Sequence, residues 1–196
     1  MICFETIKVV NGKLLNLKYH QERVNYTRKF LSFKKKLELN EYDFNLPKYG
    51  DYRLRVDYDE DIKSFTCKEF TCREFKEFKL VESNIDYSYK YAQRDDLDSL
   101  KTDEKEIIIL KNGYLTDTTI ANIAIQVDGC WLTPKNPLLK GTTRARLIDK
   151  GFLKCKDLTI EDLKKSQNFA IMNALIDFTI IEKVEIELGF KSTIQK

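Results

Sequence analysis

Three stretches of this chain combine residue types that could do chemistry together. The first is Tyr87-Ser88-Tyr89-Lys90-Tyr91-Ala92-Gln93-Arg94, a lysine among aromatic neighbours. Burial and aromatic surroundings favour the neutral amine, the form that attacks a carbonyl to make a Schiff base. The second runs from Asn112-Gly113 through Leu115-Thr116-Asp117 to Asn122. A carboxylate at Asp117, just after a tight turn, can cap backbone amides. It can also keep a pyridine nitrogen protonated, which turns the ring into an electron sink. The third is Leu139-Lys140-Gly141-Thr142-Thr143-Arg144, at the start of a predicted helix. Helix N-termini bind phosphate through free amides, glycine allows close approach, and threonine hydroxyls add donors. An amine, an acid and an anion cradle, in this order, are the equipment needed to hold and use pyridoxal 5'-phosphate (PLP). Taken singly, each has an ordinary reading as a solvated lysine, a turn carboxylate or a helix cap. Arg23 is a candidate second phosphate ligand through a charge-assisted contact, and Arg55 a candidate for a substrate carboxylate. Both also read as surface residues of a helix and a sheet.

These residues need elements to position them. Cys3 to Val10 is rich in β-branched and apolar types; Asn11-Gly12 then signals a tight primed turn before alternation resumes over Lys13 to Leu17. From about Tyr19 the period becomes helical, with His20, Arg23, Val24 and Thr27 on one face and an end near Lys35. Asp51 to Asp57 alternates, with Leu54 and Val56 on one side and Arg53, Arg55 and Asp57 on the other. Asp59-Glu60-Asp61 is a turn, and Ser64 to Phe70 and Arg73 to Val81 are two further strands. The first 85 or so residues thus predict a small antiparallel sheet with a helix against it. If Tyr87 to Tyr91 is extended, its three tyrosines lie on one side and Lys90 on the other. A short helix follows from Asp95 to about Lys101. Strands are expected at Glu106 to Leu110, from Tyr114, at Asn122 to Val127 and at Cys130 to Thr133, with turns at Asn112-Gly113 and Asp128-Gly129. Thr142 to Lys150 reads as a helix stopped by Gly151. Thr159 and Asp162 resemble a capping arrangement for a helix to about Lys165. Phe169 to Met172 and Val184 to Leu188 are closing strands.

Composition narrows the function classes. At 196 residues, 42% of them hydrophobic, with twelve Phe and ten Tyr, the chain can fill one large core or two small ones. The net charge of +3 is too small to argue for nucleic acid, whose binders concentrate basic residues on one face. The one dense basic run, Lys34-Lys35-Lys36, reads as a solvated helix end. No apolar run is long enough to span a membrane, and no signal core opens the chain. Five scattered cysteines without a Cys-x-x-Cys pair read as reduced, mostly buried thiols of a cytoplasmic protein. One histidine leaves no His-rich metal site.

Together the motifs resemble the class IV PLP-dependent aminotransferases, the group that includes branched-chain and D-amino acid aminotransferases and 4-amino-4-deoxychorismate lyase. Phe4-Glu5-Thr6-Ile7 resembles the family's early Phe-Glu-Thr strand. His20-Gln21-Glu22-Arg23-Val24 resembles its His-x-x-Arg-Leu helix, whose arginine contacts the cofactor phosphate. Lys90 through Arg94 resembles the lysine segment. Leu115-Thr116-Asp117 through Asn122 resembles the strand whose acid meets the pyridine nitrogen and is followed by an asparagine. Thr133-Pro134 and Gly141-Thr142-Thr143-Arg144 resemble the phosphate motif. Met172-Asn173-Ala174-Leu175 is similar to a stretch of the lyase branch.

The resemblance implies a two-domain α+β fold of the D-amino acid aminotransferase type, fold type IV of the PLP enzymes, with the cofactor in the cleft between domains. The expected division is residues 1–86 as a small α+β domain and 87–196 as a larger one carrying the cofactor lysine. It also implies a homodimer and a small-molecule amino substrate, with Lys90 as the Schiff-base and acid–base residue and Arg23, Asp117, Asn122, Thr142 and Thr143 around the cofactor. The match tilts toward the lyase, which eliminates pyruvate and leaves 4-aminobenzoate, a folate precursor, over amino-group transfer. Three departures stand out: the family's glycine-rich segment before Phe4 is missing, the Lys90-to-Asp117 spacing is short, and Asp117 replaces the usual Glu. They leave open a degenerate dimer that binds a small phosphate or carboxylate without PLP chemistry.

Overall fold

The computed structural model describes residues 1–72, 74–101, 105–188 and 193–195. They divide into two compact units, 1–72 with 89–93 and 73–88 with 94–196.

The first unit is a four-stranded antiparallel sheet with a helix. Its elements are β1 (Cys3–Val10), β2 (Lys13–Leu14), α1 (Leu17–Phe30), a single 3-10 turn (Leu39–Glu41), β3 (Asp51–Tyr58) and β4 (Ile62–Glu69). The strand order is β2-β1-β3-β4. Asn11 and Gly12 both take positive φ, 47° and 75°, as a primed hairpin turn requires. Alternation buries Cys3, Glu5, Ile7 and Val9 of β1 and Leu54, Val56 and Tyr58 of β3. The buried face of α1 is His20, Val24, Thr27 and Arg28. That helix stops at Phe30 rather than near Lys35, because the chain turns through Ser32 at φ 57°. The Lys34-Lys35-Lys36 run therefore begins past the helix: the backbone N–H groups of Lys34 and Lys35 donate to Glu60 at 3.1–3.2 Å.

The Lys90 segment belongs to this unit, not to the one that follows an 86/87 boundary. Phe4 N–H donates to Lys90 O at 3.0 Å and Ala92 N–H to Ile2 O at 2.9 Å, so the segment lies beside the start of β1. Nor is it an extended strand: Lys90 sits at φ 54°, which ends the alternation that would have set its side chain opposite the tyrosines.

The second unit has β5 (Glu77–Glu82), α2 (Asp95–Asp98), β6 (Glu106–Lys111), β7 (Tyr114–Thr118), β8 (Asn122–Val127), β9 (Cys130–Pro134), α3 (Thr142–Asp149), β10 (Leu153–Lys156), α4 (Ile160–Lys165), β11 (Asn168–Asn173), β12 (Asp177–Ile180), β13 (Glu185–Glu187) and β14 (Thr193–Gln195). Among the described residues these strands form one mixed sheet, β10-β9-β8-β7-β6-β5-β13-β14, with β11 joined to β8 and β12 to β11. The strand expected from Arg73 to Val81 begins at Glu77, and Arg73 lies outside the described residues. It also changes sheet: β5 runs parallel to β6 and β13, because Phe78 and Leu80 pack with Ile108, Phe169 and Ile186. Its alternation suits either sheet, so only the long-range contact selects one. The Thr159–Asp162 capping box is formed as expected.

Of the five cysteines, all free, only Cys3 is buried; Cys67 is half-buried and Cys72, Cys130 and Cys155 are exposed. Among the described residues no helix is long and apolar enough to cross a membrane.

Candidate functional site

In the second unit the chain is folded to hold Asp117 and Asn122 face to face. They are the one directly paired position between β7 and β8. The connection between them is held from several sides. Thr118 Oγ1 accepts from the Ile120 and Ala121 amides at 3.2 and 3.0 Å. Buried Glu106 accepts from the Thr119 amide at 3.0 Å and its hydroxyl at 2.5 Å. Arg94 Nη2 donates to Thr119 O, and Asn173 Nδ2 to Ile120 O. The same Asn173 accepts from the Leu175 and Ile176 amides, so the Asn-Ala-Leu stretch forms the β11–β12 turn and braces this connection.

Asp117 is 3% exposed. Its Oδ1 accepts from Asn122 Nδ2 at 2.7 Å and its Oδ2 from the Leu139 amide at 2.7 Å. Burial pushes its carboxyl up to about 7, against the pull of those two hydrogen bonds and the charge of Arg144. The Leu139 segment leads into Gly141 and α3, whose start has no side-chain cap. Thr142 and Thr143 are both buried there, each 4% exposed. The first amides of a helix have no acceptor within it, so this start is available to an anion. Gly141 is required by space rather than by φ: a Cβ on it would come 1.9 Å from Asn122 Oδ1. Buried Arg144 donates through Nη2 to Pro134 O at 2.7 Å and Cys155 Sγ at 3.3 Å. Its Nε is buried without a hydrogen-bond partner.

In the first unit the structure groups Arg23, Arg55 and Lys90 around the start of β1. Glu5 is fully buried. Arg23 grips it with both Nε (2.8 Å to Oε1) and Nη2 (2.5 Å to Oε2), and His20 Nδ1 lies 2.6 Å from Oε2. Burial raises the Glu5 carboxyl, but the Arg23 charge and the hydrogen bonds from His20 and Arg23 overcome it and hold the group at about 2. Burial is also the largest influence on His20 and keeps it below its ordinary value, with the Arg23 and Lys90 charges adding to the effect. On the opposite face of β1, the Phe4 ring carries the Arg55 guanidinium at 4.0 Å and the Lys90 ammonium nitrogen at 4.5 Å. Arg55 is gripped by Asp57, Nε at 3.0 Å and Nη2 at 2.6 Å.

The candidate residues thus fall into two groups: Arg23, Arg55 and Lys90 in the first unit, and Asp117, Asn122, Thr142 and Thr143 in the second. Sequence reasoning missed Glu5, although a signal was present. Glu5 shares its parity along β1 with Cys3, Ile7 and Val9, so alternation alone puts a carboxylate on the core side, where it needs partners. Gly141 was read as an aid to anion approach, and its steric role against Asn122 had no sequence signal.

Residues 86–184 match the family model for amino-transferase class IV. The chain belongs to this family, whose members use PLP, and its fold is that of the fold type IV enzymes. An uncharacterised Haemophilus influenzae protein is 30% identical over 183 residues, which span 88% of this chain and 96% of its own length. A crystal structure from Haemophilus somnus, provisionally named a 4-amino-4-deoxychorismate lyase, is 30% identical, with a TM-score of 0.81 over 89% of this chain and 96% of that one. A hypothetical aminotransferase from Mycobacterium tuberculosis in its PLP-bound form has the same fold, with a TM-score of 0.77 at 15% identity over 100% of this chain and 84% of that one.

Proposed function

We propose that this chain is a PLP-dependent enzyme acting on an amino substrate. Its leading reaction is aminodeoxychorismate-type elimination of pyruvate, leaving 4-aminobenzoate; amino-group transfer to a keto acid is the alternative. The observation that carries the reading is the joint of Asp117, Asn122 and Leu139 with the start of α3. It brings an acid and an anion-accepting helix start, far apart in sequence, into one buried assembly. The donor set fits the two ends of PLP. Asp117 accepts from the Asn122 side-chain amide through Oδ1 and from the Leu139 backbone amide through Oδ2, and a carboxylate has about four lone-pair sites. The uncapped α3 start and the unpartnered Nε of buried Arg144 provide positive potential for a phosphate.

When bound, PLP supplies an electron sink for the substrate carbanion. The chain supplies the rest. Asp117 would hold the ring nitrogen through a charge-assisted hydrogen bond. The α3 amides and the hydroxyls of Thr142 and Thr143 hold the phosphate. Arg23, its guanidinium fixed by Glu5, adds a second phosphate contact. Lys90 would supply the amine that holds the cofactor aldehyde and, as a free amine, the base for the proton at the substrate Cα. Arg55 meets a substrate carboxylate only by exchanging its Asp57 contact. The protein is further proposed to work in the cytoplasm as a homodimer, to be checked by light scattering against twice the 23.1 kDa chain mass.

The test is spectroscopic. Protein mixed with PLP is expected to gain visible absorbance that Lys90→Ala abolishes; identical spectra would remove the lysine assignment. Release of 4-aminobenzoate from aminodeoxychorismate, measured beside amino transfer to a keto acid, separates the two reactions.

A further inference from the structure

We infer that Asn122 is a positioning residue: through one side-chain amide it welds the acid at Asp117 and the anion-binding start of α3 into a single rigid piece, and it does not itself contact a ligand. The names of the two ends rest on the PLP reading; the weld itself does not.

The hydrogen-bond inventory of a side-chain amide carries the argument. Asn122 Nδ2 has two hydrogens to donate. One goes to Asp117 Oδ1 at 2.7 Å and the other to Leu139 O at 2.8 Å, so neither is left for a ligand. Leu139 N–H closes the circuit by donating to Asp117 Oδ2 at 2.7 Å. Asp117, Asn122 and Leu139 are therefore joined pairwise, in a ring with no loose member. The amide can be oriented only one way, because the reverse would aim its oxygen at a carboxylate and a carbonyl. That orientation directs Oδ1 toward Gly141, into the space a Cβ would occupy. The amide is itself fixed by backbone on both sides, since Asn122 pairs with Asp117 of β7 and Met172 of β11. A rigid pair of strands thus reaches the loop before α3 through Asn122, and this sets the distance between the acid and the helix start.

Two consequences can be read on the protein without cofactor. Asn122→Ala removes a donor that favours the ionised form of Asp117, so the Asp117 carboxyl should titrate higher by about one pH unit in a 13C NMR titration. Gly141→Ala should produce a similar rise, since its methyl displaces the Asn122 amide. In the double variant the new methyl enters space that Asn122 has vacated, so Gly141→Ala should add little to Asn122→Ala. Should Asn122→Ala fail to fold, Asn122→Ser and Gly141→Ala alone give the same comparison. With PLP added, Asn122→Ala should weaken binding by about tenfold or more, as a lost charge-assisted contact would.

Non-additive Asn122 and Gly141 effects with a raised Asp117 titration support the weld, even if no PLP absorbance develops; in that case the cofactor reading fails alone. Strictly additive effects, or an Asp117 titration that stays in place in Asn122→Ala, overturn the weld even if PLP binds normally.

Discussion

Replacing Glu5 with glutamine tests the buried network that orients Arg23. Glutamine keeps the shape but removes the charge, and one of its two terminal atoms becomes a donor aimed at a donor. The cost follows from the carboxyl itself. It is held at about 2, against an ordinary value of 4.5. At ~1.4 kcal/mol for each tenfold change, the folded state favours the ionised form by about 3 kcal/mol. Removing one partner of a buried ion pair leads to a similar figure, roughly 3–5 kcal/mol. For a chain of this length the melting temperature should fall by roughly 6–12 °C at pH 7, measured by circular dichroism.

The pH dependence adds a sharper criterion. Glu5 is depressed in the folded state, so its stabilisation is complete above 4.5 and is lost as pH falls toward 2. His20 is also depressed, from 6.5. The unfolded chain therefore takes up that proton first, and stability begins to fall as pH drops below 6.5. In Glu5→Gln the His20 portion of the acid loss remains and the portion from 4.5 to 2 flattens. A variant that melts within a degree of wild type, or that keeps the full acid slope between 4.5 and 2, would refute the reasoning.

Asp117 should show the opposite sign. Its carboxyl is raised from 3.8 to about 7, so its contribution is most favourable below 3.8 and is lost as pH rises to about 7, by about 4 kcal/mol in all. Urea melts of Asp117→Asn and wild type at pH 5 and pH 8 should therefore diverge in favour of the variant at the higher pH; a constant difference would count against this burial effect. At Lys90, φ is 54°, where a Cβ is disfavoured and glycine is not, so Lys90→Gly should be more stable than Lys90→Ala by about 1 kcal/mol. Thermal melts giving the usual order, alanine above glycine, would exclude the left-handed turn.

Much of the scaffold was legible because it is set by neighbours in sequence. Asn11-Gly12, Asn112-Gly113 and Asp128-Gly129 all make tight turns at positive φ, and Thr159 and Asp162 close their capping box within four residues. The helix at Thr142 begins where Gly141 indicated. The end of α1 was misjudged because of a local turn at Ser32, but two larger misreadings were non-local. The alternation of β5 is the same whether it joins the first sheet or lies between β6 and β13. The tyrosine alternation around Lys90 looked extended, but the chain turns there, and its hydrogen bonds go to Phe4 and Ile2, near the other end of the first unit's sequence.

The order and types of Lys90, Asp117, Asn122 and Thr142-Thr143 follow from the sequence alone, and so does the family to which they point. The behaviour of each acid does not. Glu5 and Asp117 are both carboxylates buried in a sheet, yet one is pulled down to about 2 and the other pushed up to about 7. The difference is that Glu5 meets the guanidinium of Arg23 and the ring of His20, eighteen and fifteen residues away, whereas Asp117 meets neutral amides. Desolvation acts on every buried charge alike, and only the partners that tertiary structure places around it decide whether the charge survives.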